Sequence, residues 1–308
     1  MTIARNALLW ISENRKLRET LPQYKFIRRA VSRFMPGEEL VDALGAAEKL
    51  KSKSIKTIFT KLGENITDAA EADETVKHYT DALTHIEQRD LDGYVSVKPT
   101  QLGLDLDEGL CYRNLETIVK RAHELGNWVW IDMEQSAYVD RTLRLYSRIR
   151  SSFPNVGLCL QAYLYRTEKD LGDLLPLSPA IRLVKGAYME PHNVAFPRKA
   201  DVDANFFQLS KILLQNIPRG VTFGVATHDK ALVSRIRWEA ERLGVSKDQY
   251  EYQLLFGIQV EEQERLAKEG FRVRSLISYG SYWFPWYVRR LAERPANVFF
   301  VLRNLLRF

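Results

Sequence analysis

The chain has 308 residues, of which 45% are hydrophobic and 27% charged, enough to bury one large core. Apolar runs near the N-terminus are short beside the roughly 20 residues of a membrane span, which argues against a transmembrane segment or signal peptide and points to a cytoplasmic chain beginning near Met1. The formal net charge of +6 is spread along the whole length with no confined basic patch among aromatics, so nucleic acid is not an expected partner.

Residues 1–50 read as helices packed outside a larger unit: Ala7-Leu8-Leu9-Trp10-Ile11, then Tyr24 to Val31, then Glu38 to Lys51 after a break at Pro36-Gly37. From there short β-branched or aromatic runs alternate with helix-length amphipathic stretches. The runs are Ser54 to Thr60, Gly93 to Lys98, Trp128 to Met133, Val156 to Gln161, Ile181 to Lys185, Val221 to Ala226, Tyr250 to Leu255 and Phe271 to Leu276. Parallel strands need crossover connections, and eight such units close into a (β/α)8 barrel over residues 51–308. A doubly wound open sheet is the competing architecture. It normally carries a glycine-rich phosphate turn after its first strand, whereas Thr60-Lys61-Leu62-Gly63-Glu64 stands there. Cys111 falls in a helix and Cys159 inside the fourth strand, so neither a disulfide framework nor a thiolate metal site is suggested.

Polar residues collect where the strands end: Lys98, Asp132, Gln161, Arg182 with Lys185-Gly186-Ala187-Tyr188, and Thr227-His228-Asp229. At the C-terminal rim of a barrel such residues read as functional, although Asp132 or Thr227 could instead cap the following helix. In the last helix, Trp286, Arg289, Arg290 and Glu293 share one face by their spacing. Two guanidinium forks above a barrel mouth could clamp a carboxylate, with Lys98 as a third positive charge. The terminal stretch Phe299 to Phe308 is apolar and basic together, and reads as a docked last helix ahead of a membrane-surface contact.

These motifs carry a resemblance. Lys98-Pro99-Thr100-Gln101-Leu102-Gly103, Ile131-Asp132-Met133-Glu134, Leu160-Gln161-Ala162-Tyr163-Leu164-Tyr165-Arg166, Arg182-Leu183-Val184-Lys185-Gly186-Ala187-Tyr188, Ala226-Thr227-His228-Asp229 and Arg289-Arg290-Leu291-Ala292-Glu293-Arg294-Pro295 together resemble the proline dehydrogenase family, in order and over nearly the whole chain. The resemblance implies a distorted (β/α)8 barrel with non-covalent FAD at its C-terminal rim and the last helix over the flavin ring. It implies oxidation of L-proline to the cyclic imine by hydride transfer to flavin N5, with electrons passing to a membrane quinone, which would place the protein at the inner face of the membrane. On the same basis Arg182 sits beside the flavin ring, where a cation stabilises the charge that builds on reduction. Asp132, Gln161, Lys185, Gly186, Thr227, His228 and Glu293 match cofactor contacts. Lys98, Ala187, Tyr188, Leu255, Leu276, Trp286, Arg289 and Arg290 match the substrate site, and Arg182, Lys98 and Asp132 are the catalytic candidates.

The chain departs from the family where tyrosines are usual, with Leu276 at the end of strand eight and Trp286 before the paired arginines; Pro99 stands where an aliphatic residue is common. With two phenols gone from the ring's wall, an analogue of proline with an apolar substituent or a different ring size becomes an alternative substrate, unless Tyr279 or Tyr282 swings in. Two other chemistries stay open: a Schiff-base aldolase using Lys98 or Lys185, and a metal enzyme using Asp132, Glu134 and His228, whose spacing is not diagnostic.

Overall fold

The computed structural model describes residues 31–63, 66–284 and 287–288. Strands β1 (Lys56–Lys61), β2 (Gly93–Val97), β3 (Val129–Ile131), β4 (Val156–Gln161), β5 (Ala180–Val184), β6 (Thr222–Ala226), β7 (Tyr250–Leu255) and β8 (Arg272–Tyr279) form a closed parallel barrel in sequence order. The last strand pairs back on the first, Lys56 with Arg274 through Lys61 with Tyr279. This is the (β/α)8 architecture that the alternation predicts, and the open sheet is excluded.

Around the strands run α1 (Leu40–Lys51), α2 (Ala69–Gln88), α3 (Glu108–Glu124), α4 (Val139–Arg150), α5 (Thr167–Leu174), α6 (Lys199–Asn216), α7 (Lys230–Arg242) and α8 (Val260–Lys268). Aspartates start several of them by taking an otherwise unsatisfied amide of the first turn: Asp68 accepts from the Glu71 N–H at 3.0 Å and Asp107 from the Leu110 N–H at 2.6 Å. Both strand faces are apolar because both are covered; all six residues of β4 are buried. Cys111 and Cys159 are buried free thiols, and burial raises the pKa of each, so both act as packing groups. Among the described residues no helix is long and apolar enough to cross a membrane.

Side chains of alternate strand positions fill the lumen. Near its N-terminal end Arg274, 0% exposed, donates from Nε to Glu251 Oε1 at 3.0 Å and from Nη1 to Asp92 Oδ1 at 2.9 Å, with its guanidinium 3.5 Å from the centre of the Tyr94 ring. This ion cluster plugs the floor, so the lumen is a packed core with chemistry confined to its upper end.

α1 begins at Leu40, two residues later than the Glu38 expected, because Glu39 and Asp42 form a reciprocal cap. It packs outside β1 and β8. The residues before it reach the C-terminal rim: Gly257 has φ +73°, and a Cβ there would lie 1.7 Å from the Arg33 carbonyl oxygen, so only glycine admits the passing backbone. Beyond β8, Trp283 donates to Glu38 at 3.1 Å and the Tyr287 ring lies 6.2 Å from Phe34. The helix expected over residues 7–11, all but Val31 of the one expected over 24–31, and the stretch 299–308 lie outside the described residues.

β8 runs three residues past Leu276, the end that its sequence suggests, because Ile277, Ser278 and Tyr279 continue the pairing with β1. Tyr279 faces outward there, hydrogen-bonded to His78 Nε2 of α2 at 2.8 Å. Burial, followed by the charge of Lys61, lowers the His78 pKa from 6.5 to about 4 against the opposing pull of Asp81. The folded state therefore keeps His78 neutral where the unfolded chain takes up a proton; stability is unaffected above pH 6.5 and falls as the pH drops from there toward about 4. Allowing for solvent screening of a half-buried ring, the loss is about 1–2 kcal/mol. His78→Gln should flatten that part of the pH dependence in urea unfolding at pH 7 and pH 5; an equal drop in both proteins would show that His78 is not its source.

Candidate active site

At the upper end of the lumen one carboxylate joins two cations. Asp132 follows β3 and is held by its own N–H donating to the Val97 carbonyl at 2.9 Å. Its Oδ2 accepts from Lys98 Nζ at 3.1 Å, and its Oδ1 accepts from Ser96 Oγ at 2.9 Å and from Arg182 Nη2. Arg182 crosses from β5 to donate to Ser96 Oγ at 2.8 Å, and its guanidinium lies 5.2 Å from the centre of the Trp130 ring. Burial pushes the Asp132 carboxyl pKa up, but the charges of Lys98 and Arg182 and their hydrogen bonds outweigh it and hold the pKa below the ordinary value. The group is thus an ionised acceptor with a net positive surround. Arg182 is 2% exposed, yet its Nη1 has no hydrogen-bond partner. A buried guanidinium fixed on one side with an unused donor on the other marks a place for an acceptor.

The strand exits beside this trio are stitched together. Lys98 caps a tight turn over Pro99–Leu102, so Pro99 occupies a first-turn position that has no need of an N–H. Glu134, 2% exposed, accepts from the Thr100 N–H at 3.0 Å and the Thr100 hydroxyl at 2.7 Å. Gln161 donates from Nε2 to the Met133 and Glu134 carbonyls at 3.3 and 3.2 Å, which leaves its Oε1, like Trp130 Nε1, buried without a partner.

On the far side of the rim Lys185 turns from the lumen toward the helices, bound to Asp203 at 2.5 Å and Asp229 at 2.9 Å. Asp229 is the helix cap here, accepting from Ala231 and Leu232 N–H groups; Asp132, considered for that role in sequence, serves the lumen instead. Thr227 Oγ1 accepts from the Asp229 N–H at 3.2 Å, and His228 Nε2 accepts from the Leu255 N–H at 3.1 Å, fixing the end of β7. Leu255 and Leu276 are partners in register, half-buried, and Leu276 packs against the lumen cluster of Ile58 and Trp130. Gly186 has φ +120°, and a Cβ would lie 2.3 Å from the Tyr163 ring, so the fold itself already requires glycine at this position. Ala187 and Tyr188 follow it, both half-buried.

Neither alternative chemistry is assembled. Lys98 and Lys185 are committed to carboxylates, and Asp132, Glu134 and His228 are engaged separately, on cations, on Thr100 and on Leu255. Among the described residues no three His, Cys, Asp or Glu side chains converge as a metal site.

The sequence model of the family described as proline dehydrogenase matches residues 43–303. The chain belongs to the proline dehydrogenase family. Proline dehydrogenase 2 of Bacillus subtilis subsp. natto is 35% identical over 305 residues, 99% of each chain, and the proline dehydrogenase of Deinococcus radiodurans is 35% identical over 308 residues, 98% of each. In structure, proline utilization A from Bdellovibrio bacteriovorus superposes with a TM-score of 0.80 at 23% identity, over 86% of this chain and 32% of that one. The chain thus spans about a third of that neighbour, and the likeness speaks for the barrel alone. As a proline dehydrogenase family member the protein is an oxidoreductase.

Within this family frame the structure brings together Lys98, Asp132, Arg182 and Gln161, with Leu255 and Leu276 facing the same lumen. Trp286, Arg289, Arg290 and Glu293 lie outside the described residues. Tyr279 is 1% exposed on the outer side of β8 and tied to His78, while Tyr282 is 46% exposed, so Tyr279 does not replace a phenol in the pocket. Ser96 and Trp130 are site residues that the sequence reading missed. Both were within reach of it, since each lies two positions before a chosen residue and therefore on the same strand face.

Proposed function

We propose that the protein oxidises L-proline, or a closely related cyclic amino acid, to the cyclic imine with non-covalent FAD seated on the upper end of the barrel. Arg182 carries this reading: it is buried, locked on one side by Asp132 and Ser96, and offers an unused donor on the other. The edge of a flavin ring alternates acceptors and a donor, and the unpartnered Gln161 Oε1 is an acceptor of matching kind. Gly186, Thr227, His228 and Glu293 would hold the cofactor's remainder along the rim, with Lys185 fixing Asp203 and Asp229 beside them. When bound, the flavin would supply the two-electron oxidant for the carbon next to the ring nitrogen, with a quinone-type acceptor at the inner membrane face as the destination of the electrons.

The chain's own groups do the rest. Asp132 keeps Lys98 and Arg182 at fixed positions, so positive charge is organised before the reaction begins. Together with Arg289 and Arg290, these cations favour the neutral form of the substrate amine, which must be unprotonated when the hydride departs. Arg289, Arg290 and Lys98 anchor the carboxylate; Ala187, Tyr188, Leu255, Leu276 and Trp286 enclose the ring. Removing either arginine should weaken recognition by about 2–5 kcal/mol, since the carboxylate loses a charge-assisted partner in a closed site. If both single alanine variants bound a proline-like inhibitor normally, the last helix would not be the anchor.

With Leu276 in the lumen and Tyr279 outside it, the structure is consistent with a ring's wall that lacks the phenol usual at position 276, and a lost polar partner relaxes discrimination more than a methylene does. A substrate panel tests the proposal. We expect turnover of cyclic amino acids, with apolar-substituted or resized rings rivalling L-proline. L-proline ahead by a wide margin in kcat/KM would show the substitutions to be neutral, and no turnover of any cyclic amino acid would refute the activity.

A further inference from the structure

The segment between β5 and α6 folds back across the exit of β4. Its start is fixed by backbone, Ala162 and Tyr163 N–H donating to the Val184 and Lys185 carbonyls at 2.8 Å each. Its far end is fixed likewise: Leu164 and Ala195 form an antiparallel bridge, and the Phe196 N–H donates to the Tyr163 carbonyl at 2.8 Å. Tyr165 adds a hydroxyl bond to the His192 carbonyl at 2.9 Å and an edge contact with the Phe196 ring at 4.5 Å. Between these anchors lie Ala187, Tyr188 and Met189, the last 61% exposed. Glu190 links that middle stretch to a different part of the rim. Its Oε1 accepts from the Ser136 N–H at 2.7 Å and its Oε2 from the Ser136 hydroxyl at 2.5 Å. Ser136 opens the tight turn Ser136–Tyr138 that leads into α4, where first-turn amides lack intrahelical partners and a carboxylate is well placed. It also lies on the β3 exit that carries Asp132.

We propose that Glu190 is a positioning residue that sets the Ala187–Tyr188 wall relative to Asp132 and its two cations, and so governs how closely the substrate ring is enclosed; this rests on the reading above that the wall faces the substrate. Both carboxylate oxygens are used on one partner, so the link fixes orientation as well as distance. Releasing it removes the carboxylate's tether on the middle of the segment while the backbone pairing at both ends remains, so the fold persists and the wall loosens.

The test uses the purified flavin-loaded enzyme and the variants Glu190→Ala, Ser136→Ala and Glu190→Gln, the last of which can still accept from the Ser136 N–H and pair with its hydroxyl. Amide hydrogen exchange without substrate should quicken across residues 186–192 in both alanine variants and stay near wild type in the glutamine variant. KM for the best cyclic amino acid should rise about tenfold in the alanine variants while kcat changes less than about twofold, the loss of a charge-assisted pair expressed in binding. Unchanged exchange would overturn the link; faster exchange with unchanged KM would overturn its bearing on the substrate. A wild-type enzyme that turns over no cyclic amino acid would overturn the proposed activity and this role together, whereas the exchange result separates the two failures.

Discussion

Asp132→Ala is expected to lower stability by on the order of 3 kcal/mol and to weaken retention of the cofactor. The variant leaves Lys98 and Arg182 facing each other without the anion between them, and breaking a buried pair from one side is costlier than replacing it whole. Ser96 loses its acceptor as well. The Asp132 side chain is 18% exposed, which keeps the effect at the lower end of that range. The sign with pH follows from the depressed carboxyl: its contribution is fully present above the unfolded-state value and is lost progressively as pH falls from there through the lower folded value, while the folded carboxylate itself stays ionised through the ordinary range. Urea unfolding at pH 7 decides it, and a loss below about 1 kcal/mol, the range of a surface pair, would mean that the trio is not coupled.

Arg182→Met should slow reduction of the bound flavin by about 100- to 1,000-fold while changing substrate affinity far less. A fixed donor aimed at a place where negative charge develops contributes most in the transition state, and removing one such donor from a preorganised site has effects of about this size. Methionine fills the volume over Trp130 without charge or donors. Stopped-flow mixing with saturating cyclic amino acid separates rate from affinity. A reduction rate within about threefold of wild type would remove Arg182 from the chemistry, since about 1.4 kcal/mol is worth a factor of ten.

Much of the fold was legible because strand and helix differ in period, and the eight expected strands coincide with the observed ones to within a few residues. The largest difference, β8 running on to Tyr279, arises from pairing with β1, a long-range partner invisible in a local window. Lys98, Asp132, Gln161 and Arg182 could be chosen because charge or amide at a strand end has no packing explanation on that rim. Their mutual contacts could not: that Asp132 bridges two cations while Asp229 caps a helix depends on which strands close across the lumen. Lys185 illustrates the same limit. Its strand-end position matched the others, yet it is one residue out of phase with Arg182 and turns to Asp203 and Asp229. Glu190 gave no separable signal, and Glu134 was noticed only as a possible metal ligand rather than as the acceptor that holds Thr100, since a carboxylate that holds a loop looks like any other acid until its partner is known.

The central claim is tested most directly by the absorbance spectrum of the purified protein under anaerobic titration with cyclic amino acids, L-proline among them. We expect a flavin spectrum that heat or acid releases as free FAD, and bleaching of its long-wavelength band in proportion to the amino acid added. A colourless protein that takes up no FAD, or a bound flavin that no cyclic amino acid bleaches, would contradict the account.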